Sequence, residues 1–262
     1  MDLAVPDAPW ALVGECMVAV VPGRLRPRSR GDLGDLPSGV SRLPGPALVV
    51  AMRYTDSPVG PFLELAVAEP ARLGLRPGLC VTTSVVSASP ARVGGRLGWG
   101  FPRELGRLTW WRDGDGASLR WEDRGVEVRA LSSAAPGRAG RAARAGRLRL
   151  PFLVPMRSLQ RRTDGPVVVP GRVRGIARFA PVEITVPAED PLVWLSGRHH
   201  GVVVSGARVL LRPARHPTGL FSTFRAPLRA AEPALSVPGD GVQCAFTPAD
   251  RTLVSRALSS VG

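Results

Sequence analysis

The stretch RLTWWRDGDGASLRWEDRGVEVRAL, residues 107–131, decides how this chain is read. Leu108 and Trp110 alternate with Arg107, Thr109 and Trp111. Asp113-Gly114-Asp115-Gly116 is a turn signal of the kind that joins antiparallel strands. Ala117, Leu119 and Trp121 then alternate with Ser118, Arg120 and Glu122. Asp123-Arg124-Gly125 turns the chain again, and Val126, Val128 and Ala130 alternate with Glu127 and Arg129. Successive residues of a strand face opposite ways, so the stretch predicts a three-stranded meander with one apolar face. Trp110 and Trp111 are then one core and one surface aromatic.

Outward from the meander, strand signals recur at Trp10–Val20, Ala47–Tyr54, Phe62–Ala68, Cys80–Val86, Val167–Val169, Arg172–Val186 and Gly201–Leu211. Pro170, Pro181 and Pro187 are expected to break or bound the later ones, because proline cannot donate to a ladder. Residues 24–46 are rich in Pro and Gly and read as irregular with room for a short helix, and 136–146 reads as a loop. Two helices are expected. One opens at Ser89-Pro90-Ala91-Arg92 and runs toward Leu97, with proline in the first turn. The other starts at Thr247, with Pro248 at its first position and Asp250 completing a capping box. Its stripe of Leu253, Val254, Ala257, Leu258 and Val261 is a core-packing face. Many strands and few helices predict a mainly β (α+β) protein built on one curved or closed antiparallel sheet.

The 262 residues suit one large domain. With 44% hydrophobic and 21% charged residues the composition is that of a globular protein with a substantial core. All 35 basic residues of the Lys and Arg class are arginine, and the formal charge is +14. A GC-rich genome also favours Ala, Arg, Gly, Pro and Val over Lys, whatever the function. The arginines are spread along the chain, many at outward-facing strand positions. The one dense cluster lies between Pro136 and Leu150, with Arg138, Arg141, Arg144, Arg147 and Arg149. Such a run is more often a solvated loop than a nucleic-acid site, so nucleic-acid binding is not expected.

Cys16, Cys80 and Cys244 are far apart, odd in number and without metal-ligand spacing. They read as buried free thiols in a reducing compartment. His199 and His200 are adjacent and would face opposite ways on a strand, and His216 is alone, so no metal is expected. Met1 to Pro6 lacks a signal-peptide pattern, and no apolar stretch approaches the roughly 20 residues of a membrane helix. A cytoplasmic protein without membrane contact is expected. There is no Gly-x-Ser-x-Gly elbow, and a phosphate-cradling Gly-Lys loop needs a lysine the sequence lacks.

Two segments carry a resemblance. One is Tyr54-Thr55-Asp56-Ser57-Pro58-Val59-Gly60-Pro61-Phe62-Leu63-Glu64. The other is Gly95-Arg96-Leu97-Gly98-Trp99-Gly100-Phe101-Pro102-Arg103-Glu104-Leu105-Gly106. Together they resemble the active-site segments of the acetoacetate decarboxylase family. In the first, a glycine-containing turn leads to an aromatic and then to an acid, matched by Glu64. In the second, Gly95, Arg96, Trp99, Phe101, Pro102, Leu105 and Gly106 stand at the family spacing. Three positions depart: Leu97 replaces a Glu, Arg103 the Schiff-base lysine, and Glu104 a neighbouring basic residue. The strand order around both segments agrees, so the resemblance extends over most of the chain. It implies a closed, cone-like antiparallel β-barrel with a few edge helices, a single domain over 1–262, a homo-oligomer and no cofactor.

A lysine beside a second cationic group, as in acetoacetate decarboxylase, has a lowered pKa and condenses with a ketone. A guanidinium stays protonated and cannot form that imine. The resemblance therefore implies a small oxo acid or related carboxylate as ligand, without Schiff-base decarboxylation. Arg103 is the candidate anion anchor, because its fork grips a carboxylate through two bonds. Glu64 is the candidate general acid or base if the pocket raises its pKa. On a strand Glu64 shares its face with Phe62, Ala66 and Ala68, two of them small enough to leave room for a ligand. Arg96, Glu104, Phe62, Trp99 and Phe101 complete the candidate binding set. The other reading of Arg103 is a satisfied internal ion pair with Glu64 or Glu104, since buried charges are paired whatever a protein does. At the level of function, an imine-independent lyase or isomerase stands beside a non-catalytic small-molecule-binding or scaffold protein.

Overall fold

The computed structural model describes residues 5–25, 36–114, 116–131 and 149–217. All of them fall in one compact unit, Met1–Thr218. The expected loop at 136–146, most of the arginine cluster, Cys244 and the helix from Thr247 lie outside the described residues.

Among the described residues twelve strands form one sheet. In chain order they are β1 (Trp10–Val21), β2 (Val40–Arg42), β3 (Ala47–Asp56), β4 (Phe62–Leu73), β5 (Arg76–Val86), β6 (Arg103–Leu105), β7 (Leu108–Asp113), β8 (Gly116–Trp121), β9 (Val126–Ala130), β10 (Arg149–Arg162), β11 (Gly165–Thr185) and β12 (Gly197–Leu211). The spatial order is β10-β5-β4-β3-β1-β12-β11-β9-β8-β7, with β2 paired to β4 and β6 to β5. β10 also pairs antiparallel with β11, and it meets β5 in parallel through Ser158 and Leu79. The β5–β6 pair is parallel as well. The remaining pairings are antiparallel.

The meander of residues 107–131 folds as its alternation dictates. Leu108, Ala117, Leu119, Trp121, Val126, Val128 and Ala130 are buried in one core with Leu65, Val67 and Val85 of the main sheet. Burying a leucine such as Leu119 contributes about 1.5–3 kcal/mol. Trp110 packs against this core, while Trp111 is 47% exposed. The opposite side of the sheet carries a second core that includes Trp10, Leu12, Tyr54, Phe62, Trp99 and Phe101.

Two sequence expectations change. Val167–Val169 and Arg172–Val186 are not separate strands, because β11 runs unbroken through Pro166, Pro170 and Pro181. A proline is tolerated in a strand where the ladder does not need its nitrogen as a donor. Pro187 lies beyond the strand end, as a boundary residue should. The second change is β10, whose first nine residues carry no apolar–polar alternation because most are exposed. Arg149 and Leu150 begin this strand rather than ending a loop.

One α-helix, α1 (Ser89–Trp99), is present among the described residues. It has proline in its first turn and ends at Gly100, whose φ of 73° is left-handed. That conformation suits glycine, which has no Cβ to clash. No helix among the described residues is long and apolar enough to cross a membrane. Cys16 and Cys80 are free and buried. Burial pushes each thiol from 9.0 up to about 12.

Candidate functional site

The two segments singled out in the sequence meet at one buried ion pair. β4 presents Phe62 and Glu64 to the second core and Leu65 and Val67 to the first, as its alternation requires. β6 lies parallel to β5 with Arg103 opposite Ser84. Arg103 is 2% exposed and Glu64 7%. The Arg103 guanidinium grips both carboxylate oxygens. Its Nε donates to Glu64 Oε1 at 3.1 Å, and its Nη2 donates to Glu64 Oε2 at 2.9 Å. The third edge, Nη1, donates to the Ala91 carbonyl of α1 at 2.9 Å. Ser84 Oγ donates to Glu64 Oε1 at 2.9 Å. The rings of Phe62 and Phe101 sit 5.7 and 5.5 Å from the guanidinium carbon.

Glycine makes room for the arginine. A methyl group on Gly95 would lie 2.3 Å from Arg103 Cδ, and one on Gly94 would lie 2.5 Å from the Trp10 ring. The Gly94-Gly95 pair therefore lets α1 settle onto both side chains. Trp99 packs edge-on against Trp10 with ring centroids 4.9 Å apart, and its indole N–H donates to the Arg212 carbonyl at 2.8 Å. Tyr54 stacks beside Phe62 at 4.5 Å. Its phenol is pushed well above its ordinary value, first by burial and then by the neighbouring Glu64 carboxylate.

The structure thus brings Glu64, Arg103, Phe62 and Phe101 together, with Trp99 in the same core. Arg96 is on the exposed side of α1. Glu104 is exposed and lines a cavity with Val67 and Thr83, so adjacent residues 103 and 104 face different sides of the sheet. Three contributors have no site role in the sequence analysis: Ser84, the Ala91 carbonyl and Tyr54, although Tyr54 opens one of the two quoted segments. Ser84 and Tyr54 carry a usable signal, since strand pairing sets Tyr54 opposite Phe62 and Ser84 opposite Ala66, two residues along β4 from Glu64. His199 is buried, with Nε2 2.9 Å from the Leu195 carbonyl. Among the described residues no cluster of three metal-ligating side chains occurs.

A mainly β protein with an antiparallel-rich sheet and a buried carboxylate–guanidinium pair defines the class. The family model of acetoacetate decarboxylase (ADC) matches residues 19–184, and the chain belongs to that family. Solved structures agree in fold. The acetoacetate decarboxylase of Legionella pneumophila subsp. pneumophila str. Philadelphia 1 is 16% identical, with a TM-score of 0.50 over 79% of this chain and 86% of that one. An acetoacetate decarboxylase-like enzyme from Sphingomonas wittichii RW1 is 16% identical, with a TM-score of 0.51 over 83% and 96%. The enduracididine biosynthesis enzyme MppR, solved in complex with pyruvate, is 18% identical, with a TM-score of 0.51 over 80% and 90%. No curated protein matches the chain in sequence.

Proposed function

We propose that this protein binds a small oxo acid or related carboxylate in the core around Arg103, without forming a Schiff base. The observation that carries this reading is the two-pronged grip of Arg103 on Glu64, deep between two phenylalanine rings. The site is already built for a carboxylate, and the one it holds belongs to its own chain. A ligand carboxylate of the same geometry takes that place. Glu64 then stays beside the bound oxo acid, positioned as the acid–base group that an imine-independent lyase or isomerase needs. The pyruvate held by the MppR structure is a ligand of this kind. Arg103 stands where the family resemblance implies the reactive lysine, and a guanidinium cannot condense with a ketone.

A second reading, a non-catalytic binding or scaffold protein, is favoured by a different observation. The hydrogen bonds to Glu64 and to the Ala91 carbonyl engage three sides of the guanidinium. Calorimetry with pyruvate separates the two. Under the first reading Glu64→Gln, which removes the competing carboxylate at nearly constant volume, binds pyruvate about tenfold tighter than the parent. Turnover, where present, is lost. Absence of pyruvate binding in both proteins leaves the second reading. Acetoacetate with borohydride is expected to give neither covalent trapping nor carbon dioxide.

The family resemblance and the pairing of β10 with both β5 and β11 support a closed cone. A single domain over 1–262, a cytoplasmic location and a homo-oligomer belong to the same proposal, the last read out by sedimentation.

A further inference from the structure

The sheet has a second built site on the side away from Glu64. The register of β4 and β5 shifts between Val67 and Ala68, which pair with Thr83 and Val81 and leave Thr82 as an extra residue. Bulges of this kind re-aim side chains and are frequent beside functional sites. Here the bulge brings Thr82 and Thr83 to one cavity of about 240 Å³, together with Glu69, Glu104, Leu192 and Trp194. That volume lies below the roughly 300–1,000 Å³ of drug-sized sites, so it fits a small molecule.

The charges in this cavity are unevenly offset. Glu69 is 1% exposed, and its Oε2 accepts from Arg42 Nε at 2.5 Å. Its Oε1 lies 3.3 Å from the Thr82 hydroxyl. Arg124, also in the wall, donates from Nε and Nη2 to the two oxygens of Asp190 at 2.6 and 2.5 Å. Glu104 is the wall carboxylate without a hydrogen bond or ion pair among the described residues. The cavity of a chain of net charge +14 thus carries one uncompensated negative charge beside an indole and an aliphatic wall. A hard metal ion suits the wall poorly, because among the described residues no three metal-ligating side chains cluster, and one of the two wall carboxylates, Glu69, is already paired with Arg42. An alkylammonium suits it better. The ammonium meets Glu104 and the Thr83 hydroxyl, and the carbon body covers Leu192 and Trp194, an aromatic that also attracts cations.

We propose that this cavity binds a small organic ammonium with a short apolar body, through Glu104 and Thr83 against Trp194. The proposal does not depend on the carboxylate reading of the Arg103 site. The test is titration of the full-length protein with phenethylammonium at neutral pH, followed by calorimetry and by amide shifts in NMR. Binding is expected to shift residues 82–84 and 104, and to weaken about tenfold in Glu104→Gln. Thr83→Trp, which fills the cavity, should abolish it. 3-Phenylpropanoate, which keeps the phenethyl body but carries a carboxylate in place of the ammonium, should not bind there, and saturating pyruvate should leave the affinity unchanged. No binding, equal affinity in Glu104→Gln, or equal binding of 3-phenylpropanoate overturns the proposal. Competition by pyruvate also overturns it, because that outcome moves the ligand to the opposite core.

Discussion

Removing the Arg103 guanidinium strands the Glu64 carboxylate in a protein interior, with only neutral hydroxyl donors, Ser84 and Tyr54, beside it. Breaking a buried pair from one side costs about 3–5 kcal/mol, because the other charge stays desolvated. Arg103→Met is therefore expected to lower the unfolding free energy by about that much in urea titrations. Adding Glu64→Gln to it should recover much of the loss, because no buried charge remains. A single-mutant loss near zero would show that water reaches the pair. The sequence made both partners legible, since residues 64 and 103 each sit in a segment with family spacing. It left open whether Arg103 pairs with Glu64 or Glu104. Strand direction decides this, because adjacent residues of β6 face opposite ways.

At the scale of elements, α1 runs against intrinsic helix preference. Gly94 and Gly95 lie in its interior, where alanine would ordinarily gain about 0.5–1 kcal/mol. Packing reverses the sign. The Cβ of Gly94→Ala would come within 2.6 Å of two Trp10 ring atoms, in a core with no slack. Overpacking of this kind costs about 1–3 kcal/mol. The expected result is a net loss of stability, read as a lower Tm in calorimetry, and a gain would contradict the packing. The elements differ in legibility for a physical reason. The meander of residues 107–131 was readable because it buries one face and wets the other. β10 was not, since residues 149–157 are largely exposed and impose no period. β11 reads as two pieces in the sequence because proline signals a break, although the strand absorbs three of them.

Across the whole molecule the titrating groups report how well separate cores exclude water. Cys16 belongs to the core around Trp10, and Cys80 to a smaller one with Val40, Ala71, Leu73 and Leu159. Both thiols are pushed from 9.0 to about 12 by burial. A folded-state pKa raised above the unfolded one means the contribution is complete below pH 9. It is lost as pH climbs toward 12, because the unfolded chain releases the proton first. The slope is about 1.4 kcal/mol per pH unit per thiol. Urea unfolding between pH 8 and 11 should show stability falling, and Cys16→Ala should fall less steeply than the parent. Identical slopes would mean that Cys16 is reached by solvent in the folded state.

The same whole-molecule view governs how β10 is tied in. It is zipped to β11 along all fourteen of its residues, yet its ladder with β5 is the single pair Ser158 and Leu79, supplemented by side-chain bonds from Arg157 and Gln160 to the Pro77 and Val81 carbonyls. Among the strand neighbours described, this seam has the fewest paired residues. Opening it breaks the least main-chain bonding, so its backbone amides are expected to exchange with solvent sooner than those of the long β10–β11 ladder.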